Sequence, residues 1–319
     1  MKRIAVVLAL VFLAMRPGEA GACSICRCGD QNFFVNNARM LMPGQFIFSI
    51  EHFNTRKSSP LMIEMNESDG QGAAFGKVPS LATLQHEIEV EESQVQNQVQ
   101  AIVHYGLTSR LILSASVPYT FNHLTSSESS EKADGFGDPE VFMLGHLATL
   151  SGGMVSLQFL AGGRLPLGNS DMVDESGRLL DHHAQTGSGA WAGIFGLQLS
   201  RFGTTLPLFL SASYQLNGAS DHDFRYGNIL RYNLATQREL WSFLDLIAEI
   251  NGRTADFDEE GNERDNNSGG TVVYASPGVR FRIANQLSLR TQAQVPVIKN
   301  LNGTQDEEVN VRTGLIWEM

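Results

Sequence analysis

Long apolar runs are scarce in this chain, and that scarcity narrows the fold first. Only Ile4–Met15 is apolar throughout. It is shorter than the roughly 20 residues that a helix needs to cross a bilayer. With Lys2 and Arg3 before it and Ala20-Gly21-Ala22 after it, the run reads as a secretory leader over residues 1–22. A membrane protein without apolar helices must cross as strands, because only helices and closed barrels pair every backbone amide in lipid.

Positive charge is short as well, with 23 Lys and Arg against 34 Asp and Glu. Setting aside Lys2, Arg3, Arg16 and Glu19 of the leader leaves a net charge of about −13, a poor basis for binding nucleic acid. Catalytic motifs are missing too. His104 and His146 fall on predicted strands, but no serine motif frames either, so a nucleophile with its base is not indicated and no enzyme is expected.

Cysteine is confined to one place. Cys23, Cys26 and Cys28 are the only three in the chain. They head the expected mature protein, in a segment (23–44) that is periplasmic or folds into the lumen as a plug. Three readings stay open for them: a disulfide or plain structural thiols, a soft metal such as Cu(I) or Zn, or lipidation of Cys23 after a weak lipoprotein box. A c-type haem is not indicated, since Arg27 stands where histidine is needed.

What the chain does have is alternation. Val99, Ala101, Val103 and Tyr105 interleave with Gln98, Gln100, Ile102 and His104, and Leu111 to Tyr119 repeats the pattern after a short turn. Successive side chains of a strand point to opposite faces, so each segment has one apolar and one polar face. Such segments run to ten residues or more, whereas strands of soluble proteins are usually about five or six. The pattern predicts twelve strands near 45–56, 92–105, 110–120, 137–148, 153–165, 188–202, 206–217, 225–236, 239–252, 270–283, 286–297 and 307–319. Tight turns are expected at 106–109, 149–152, 203–205, 237–238 and 284–285, and long links at 57–91, 121–136, 166–187, 218–224, 253–269 and 298–306. Short turns on one side and long loops on the other predict an all-β, antiparallel up-and-down barrel over 45–319 in an outer membrane. A large secreted β-sandwich or solenoid is the plainer alternative.

The two faces sort by chemistry. Trp191, Phe195, Leu197, Leu199, Leu208, Leu210, Ala212, Tyr214, Leu216, Leu240, Leu244, Leu246, Ala248 and Ile250 are expected to face lipid. Gln96, Gln98, Gln158, Gln198, Gln215, Gln292, Gln294 and Glu308 are expected to face the lumen. So are Arg164, Asp245, Glu249, Arg280, Arg282, Arg290 and Arg312, the candidates for selectivity. Those charges either face one another across a pore or pair inside a filled barrel. At the C-terminus Arg312, Gly314, Trp317 and Met319 resemble the assembly signal that the outer-membrane assembly machinery reads, although the usual final aromatic is replaced by Met319.

Two further clusters carry weaker signals. Asp256, Asp258, Glu260 and Gly261 copy the start of a calcium loop, but Asn267 stands where a bidentate glutamate belongs. His182 and His183 are adjacent, so in extended backbone they point apart and make a poor metal pair. The long link 57–91, with Gly70, Gly72 and Gly76, is expected to be mobile or to fold inward as a constriction.

Several stretches together, YGLTSRLILSASVPY (105–119), GFGDPEV (135–141), AGGRLPLGN (161–169), GSGAWAGIFGL (187–197) and YGNILRYNL (226–234), are similar to a broad bacterial family of outer-membrane barrel transporters. That family is associated with the meta-cleavage pathway of phenol degradation and loosely grouped with hydrophobic-substrate channels. The resemblance covers about 90–300. It implies passive uptake or efflux of a small, hydrophobic or aromatic solute, and supplies no catalytic residues. The rival readings are a metal-handling or redox-accessory protein working through its cysteine head, and a closed barrel with interaction loops.

Overall fold

A computed structural model describes residues 41–62, 89–125, 130–202, 206–261 and 263–319. Twelve long strands form one antiparallel sheet that closes on itself. They are β1 Phe46–Met62, β2 Glu89–Thr108, β3 Leu111–Thr125, β4 Glu140–Leu150, β5 Val155–Arg164 and β6 Ala192–Arg201. The second half comprises β7 Leu208–Asn217, β8 Ile229–Trp241, β9 Leu244–Ala255, β10 Gly270–Ala284, β11 Leu287–Leu301 and β12 Asn310–Glu318. Each strand pairs with its neighbours in sequence, and β1 pairs with both β2 and β12, so the sheet leaves no free edge in lipid. At the seam Phe46 and Met319 exchange backbone hydrogen bonds of 3.0 and 2.9 Å.

Outward positions are mainly apolar and more exposed than the inward ones, most of which are buried. Trp241, Phe243 and Trp317 belong to the apolar rim beside the short turns, and Phe136 and Trp191 to the opposite rim, as in the aromatic girdles of outer-membrane barrels. Twelve strands about 4.8 Å apart and tilted about 40° enclose a backbone radius of about 12 Å. That lies between the filled eight-stranded barrels and the open porins of 16 or more strands.

Three expectations are corrected. Gln237 and Arg238 read as a turn because they are polar, yet with Glu239 they continue β8, and the reversal falls at Ser242–Phe243. A strand end that leaves the hydrocarbon tolerates charge without leaving the ladder. Leu244, expected on the lipid face, is buried beside that turn. Glu308 lies in the link before β12, and the buried lumen acid is its neighbour Glu307. A one-residue slip exchanges the faces of a strand. Of the link 57–91, the first and last residues extend β1 and β2 and 63–88 lie outside the described residues, as does the expected turn 203–205.

Candidate functional site

The lumen has two unlike walls. From β9 to β12 and on to β1 it is charged, and Arg253, Arg280, Arg282, Arg290 and Arg312 each lie against a carboxylate. Arg290 reaches Glu249 at 3.2 Å, and Gln292 donates to the same carboxylate at 2.8 Å. Arg312 holds Glu51 across the closing seam, with its Nε 2.7 Å from the carboxylate and its guanidinium 4.9 Å from the Phe53 ring. Nearer the outer mouth Arg253 binds Glu307, whose other oxygen accepts from the Tyr274 hydroxyl at 2.6 Å. At the periplasmic rim Arg282 bridges Asp245 and Glu239, and Arg280 binds Glu318. Arg164 pairs with Glu140 at 2.8 Å on β5 and β4. Of the two arrangements left open by the sequence, the structure has the paired one. All seven selectivity candidates lie on inward positions, in several clusters rather than one ring. Glu51, Glu140 and Glu307 complete them. Sequence reasoning passed over Glu51 and Glu140, although strand parity alone places both inward.

Apart from the Arg164–Glu140 pair, the wall from β2 to β7 is neutral. Gln100, His104, Ser114, Ser116, Gln158, Gln198, Ser200 and Gln215 face inward, and His104 is held by the Ser114 hydroxyl at 2.7 Å. An apolar patch interrupts them: Ile102, Ile112, Phe142, Leu144, Leu160 and Ile194 pack together, with Leu41 against them. The patch was not foreseen, since isolated Ile, Phe and Leu on inward positions of five different strands become one surface only when the strands are paired.

The outer mouth is covered by the link between β5 and β6. Within it Asp181–Ala190 lies inside the circle of strands, because inward-facing side chains hold its backbone. Gln94 donates to the His183 carbonyl at 3.0 Å, and Asn122 donates to the carbonyls of Ala184 and Gln185 at 2.9 and 3.0 Å. Ala184 is fully buried there. On the other side the Tyr226 hydroxyl donates to the His182 carbonyl at 2.7 Å, and His183 Nε2 lies 3.7 Å from the buried Asp258 carboxylate. We refer to this segment as the cap. Its base is clasped by Asp138, which accepts from the backbone N–H of Gly168 at 2.9 Å and of Ser188 at 2.7 Å, and from the Ser188 hydroxyl at 2.5 Å.

The two cap histidines do part company: the His182 ring stacks on Phe224 at 4.2 Å, while His183 turns to Asp258. Burial holds the His182 imidazole below its ordinary pKa, against the opposing charge of Asp181. Asp258, read as a possible calcium ligand, accepts from the Gly227 N–H at 2.7 Å and faces His183. Among the described residues no three of His, Cys, Asp or Glu stand together as a metal site. Cys23, Cys26 and Cys28 lie outside those residues. Of the C-terminal signal, Trp317 is exposed on the lipid side, Met319 joins β1, and Gly314 faces the Glu51 side chain, which a Cβ there would crowd at 3.1 Å.

A family model described as "Putative MetA-pathway of phenol degradation" matches residues 83–298. The chain belongs to this family. The phenol-degradation family match spans β2 to β10 and most of β11, the cap included. No curated protein sequence matches. Among solved structures, an outer-membrane channel from Pseudomonas putida F1 superimposes with a TM-score of 0.66 at 11% identity, over 89% of this chain and 98% of that one. The β domain of the Bordetella autotransporter BrkA gives a TM-score of 0.51 at 10% identity, over 86% of this chain and all of that one. At such identities these likenesses establish the closed outer-membrane barrel and nothing finer. A toluene transporter from Ralstonia pickettii, TbuX, lies further away at a TM-score of 0.43 and 7% identity, over 87% of this chain and 90% of that one.

Proposed function

We propose that this member of the phenol-degradation family is a passive outer-membrane channel for a small solute with a hydrophobic or aromatic body. The carrying observation is the apolar patch inside a lumen whose other positions are amides, hydroxyls and paired charges. An apolar surface facing inward does nothing for a barrel's contact with lipid. It suits a lumen that an apolar molecule must cross. The cap closes the outer mouth, and its displacement opens the path. The clustered arginines and carboxylates of the lumen are paired, so they hold the walls in place and leave selection to shape and apolar contact.

The test is single-channel recording of the refolded protein in a planar bilayer, with reversal potentials in a salt gradient. Discrete current steps support the reading. Silence from a heat-modifiable, correctly folded barrel refutes it in favour of a closed barrel with interaction loops.

A further inference from the structure

The apolar patch on the lumen wall is covered, and the strands that carry it do not supply the cover. Ile102, Ile112, Phe142, Leu144, Leu160 and Ile194 are between 0% and 5% exposed. An eight-stranded barrel fills its interior with its own side chains, but twelve strands enclose a wider one. Inward side chains alone would leave their tips open to water there. The cap does not reach them, since no residue of Asp181–Ala190 joins the patch. Ile112 is paired with Gly106 near the periplasmic end of β3, whereas the cap's contact on that strand is Asn122, ten residues and about 33 Å of chain further out.

The start of the described chain turns toward this surface. Met42–Gln45 form the kind of turn in which proline stands second and a glycine with positive φ third. Gln45 N–H donates to the Met42 carbonyl at 3.0 Å, and Gly44 has a φ of 85°. Gly44 and Gln45 are fastened to Gly106 by two backbone hydrogen bonds of 2.9 Å. The turn sends the chain from the foot of β1 into the lumen, where Leu41 packs on the patch. Gly106 makes room for it: a Cβ there would stand 2.2 Å from the Met42 carbonyl oxygen and 3.1 Å from the Leu41 Cβ. Just before Leu41 in sequence, Phe33, Phe34 and Val35 form an apolar trio, with Gln31 and Asn32 before it and Asn36 and Asn37 after it. The wall has the same chemistry, an apolar patch bordered by the inward amides of Gln100, Gln158 and Gln198. Six to eight residues of extended chain reach at most about 20–29 Å. From β3 to β6 the patch crosses three strand spacings, about 14 Å.

We propose that residues 31–40 lie along the inner wall of β2–β6, with Phe33, Phe34 and Val35 seated on the apolar patch. The barrel then carries a strap of its own chain, laid in from the periplasmic side beneath the cap. This goes beyond the channel reading and holds whether or not the barrel conducts. A solute that crosses the patch displaces the strap.

The test is the rate at which a water-soluble methanethiosulfonate modifies Leu160→Cys in the full-length protein carrying Cys23→Ser, Cys26→Ser and Cys28→Ser. Leu160 faces the lumen, so the rate reads whether the patch is covered, without any current. Modification is expected to be slow in the full chain. With residues 23–40 removed, or with Phe33→Ser and Phe34→Ser together, loss of the buried rings should raise it roughly 10- to 100-fold or more. Heat-modifiable mobility checks that each variant is folded, and the double substitution decides if the shortened chain does not fold. Equal rates overturn the proposal: both fast means a bare patch, and both slow means that another part of the chain covers it. Photo-crosslinking from p-benzoylphenylalanine in place of Phe34 is expected to join β3, β4 or β5. Attachment to the outer loops, or to none of these strands, overturns it as well.

Discussion

Asp138→Ala is expected to open the cap without unfolding the barrel. The Asp138 carboxylate accepts three hydrogen bonds, from Gly168 and twice from Ser188, and so ties together the outgoing and returning ends of the link that carries the cap. Hydrogen bonds to a charged group contribute about 1.5–3 kcal/mol each, and water replaces part of that when the link lifts, which leaves about 2–4 kcal/mol of net closing energy. At 1.4 kcal/mol per factor of ten, the open-to-closed ratio rises about 30- to 1000-fold. Asp138→Asn keeps one acceptor and turns an amide N–H₂ toward donors, so it falls between wild type and alanine. The assay is open probability in single-channel recordings at fixed voltage. The β4–β5 hairpin is paired through ten register positions and does not depend on Asp138, so the variant should keep its heat-modifiable mobility. A fully folded Asp138→Ala barrel with wild-type open probability would refute the assignment of the cap as the closing element.

Other outcomes follow from the same geometry. Glu51→Gln leaves Arg312 buried without its counter-charge and should cost about 3–5 kcal/mol, read as a lower urea midpoint. The double variant Glu51→Gln, Arg312→Met should recover most of it. His182 has its pKa depressed by burial in the cap, so closure is fully stable above the ordinary histidine value of about 6.5 and weakens as pH falls below it. Acidifying the outer side should raise open probability, and His182→Phe, which keeps a ring on Phe224, should flatten that response. Gly145→Ala places a methyl group within the Phe159 ring that covers it, and should cost about 1–3 kcal/mol of stability by overpacking.

Strand number, topology and the two faces were legible in the sequence because period-two alternation over ten or more residues survives local noise. Charge placement was legible only where parity had an anchor. Arg290, Arg312 and Glu249 sit mid-strand and were assigned correctly to the inward side. Glu307 and Glu308 straddle a strand start, where one residue decides the face. The cap was not legible at all. Its contacts join Gln94 to His183 and His182 to Tyr226, across strands that become neighbours of the mouth only when the sheet closes. Neither could the partners of the lumen arginines be foreseen, because Glu51 and Arg312 are 261 residues apart.

That separation has a consequence for how the barrel is made. Eleven of the twelve strand pairings join neighbours in sequence, but the pairing of β1 with β12 waits for the final residues of the chain. Until then Glu51 and Arg312 stand on opposite ends of an open sheet, each needing water. Closure is thus the most non-local step in the topology, and the step at which both charges lose that water. A chain missing its last eight residues would lose Arg312 along with the C-terminal signal, and would leave a carboxylate facing the lumen with no cation at the seam. Completion of the polypeptide and neutralisation of the seam are one event in this architecture.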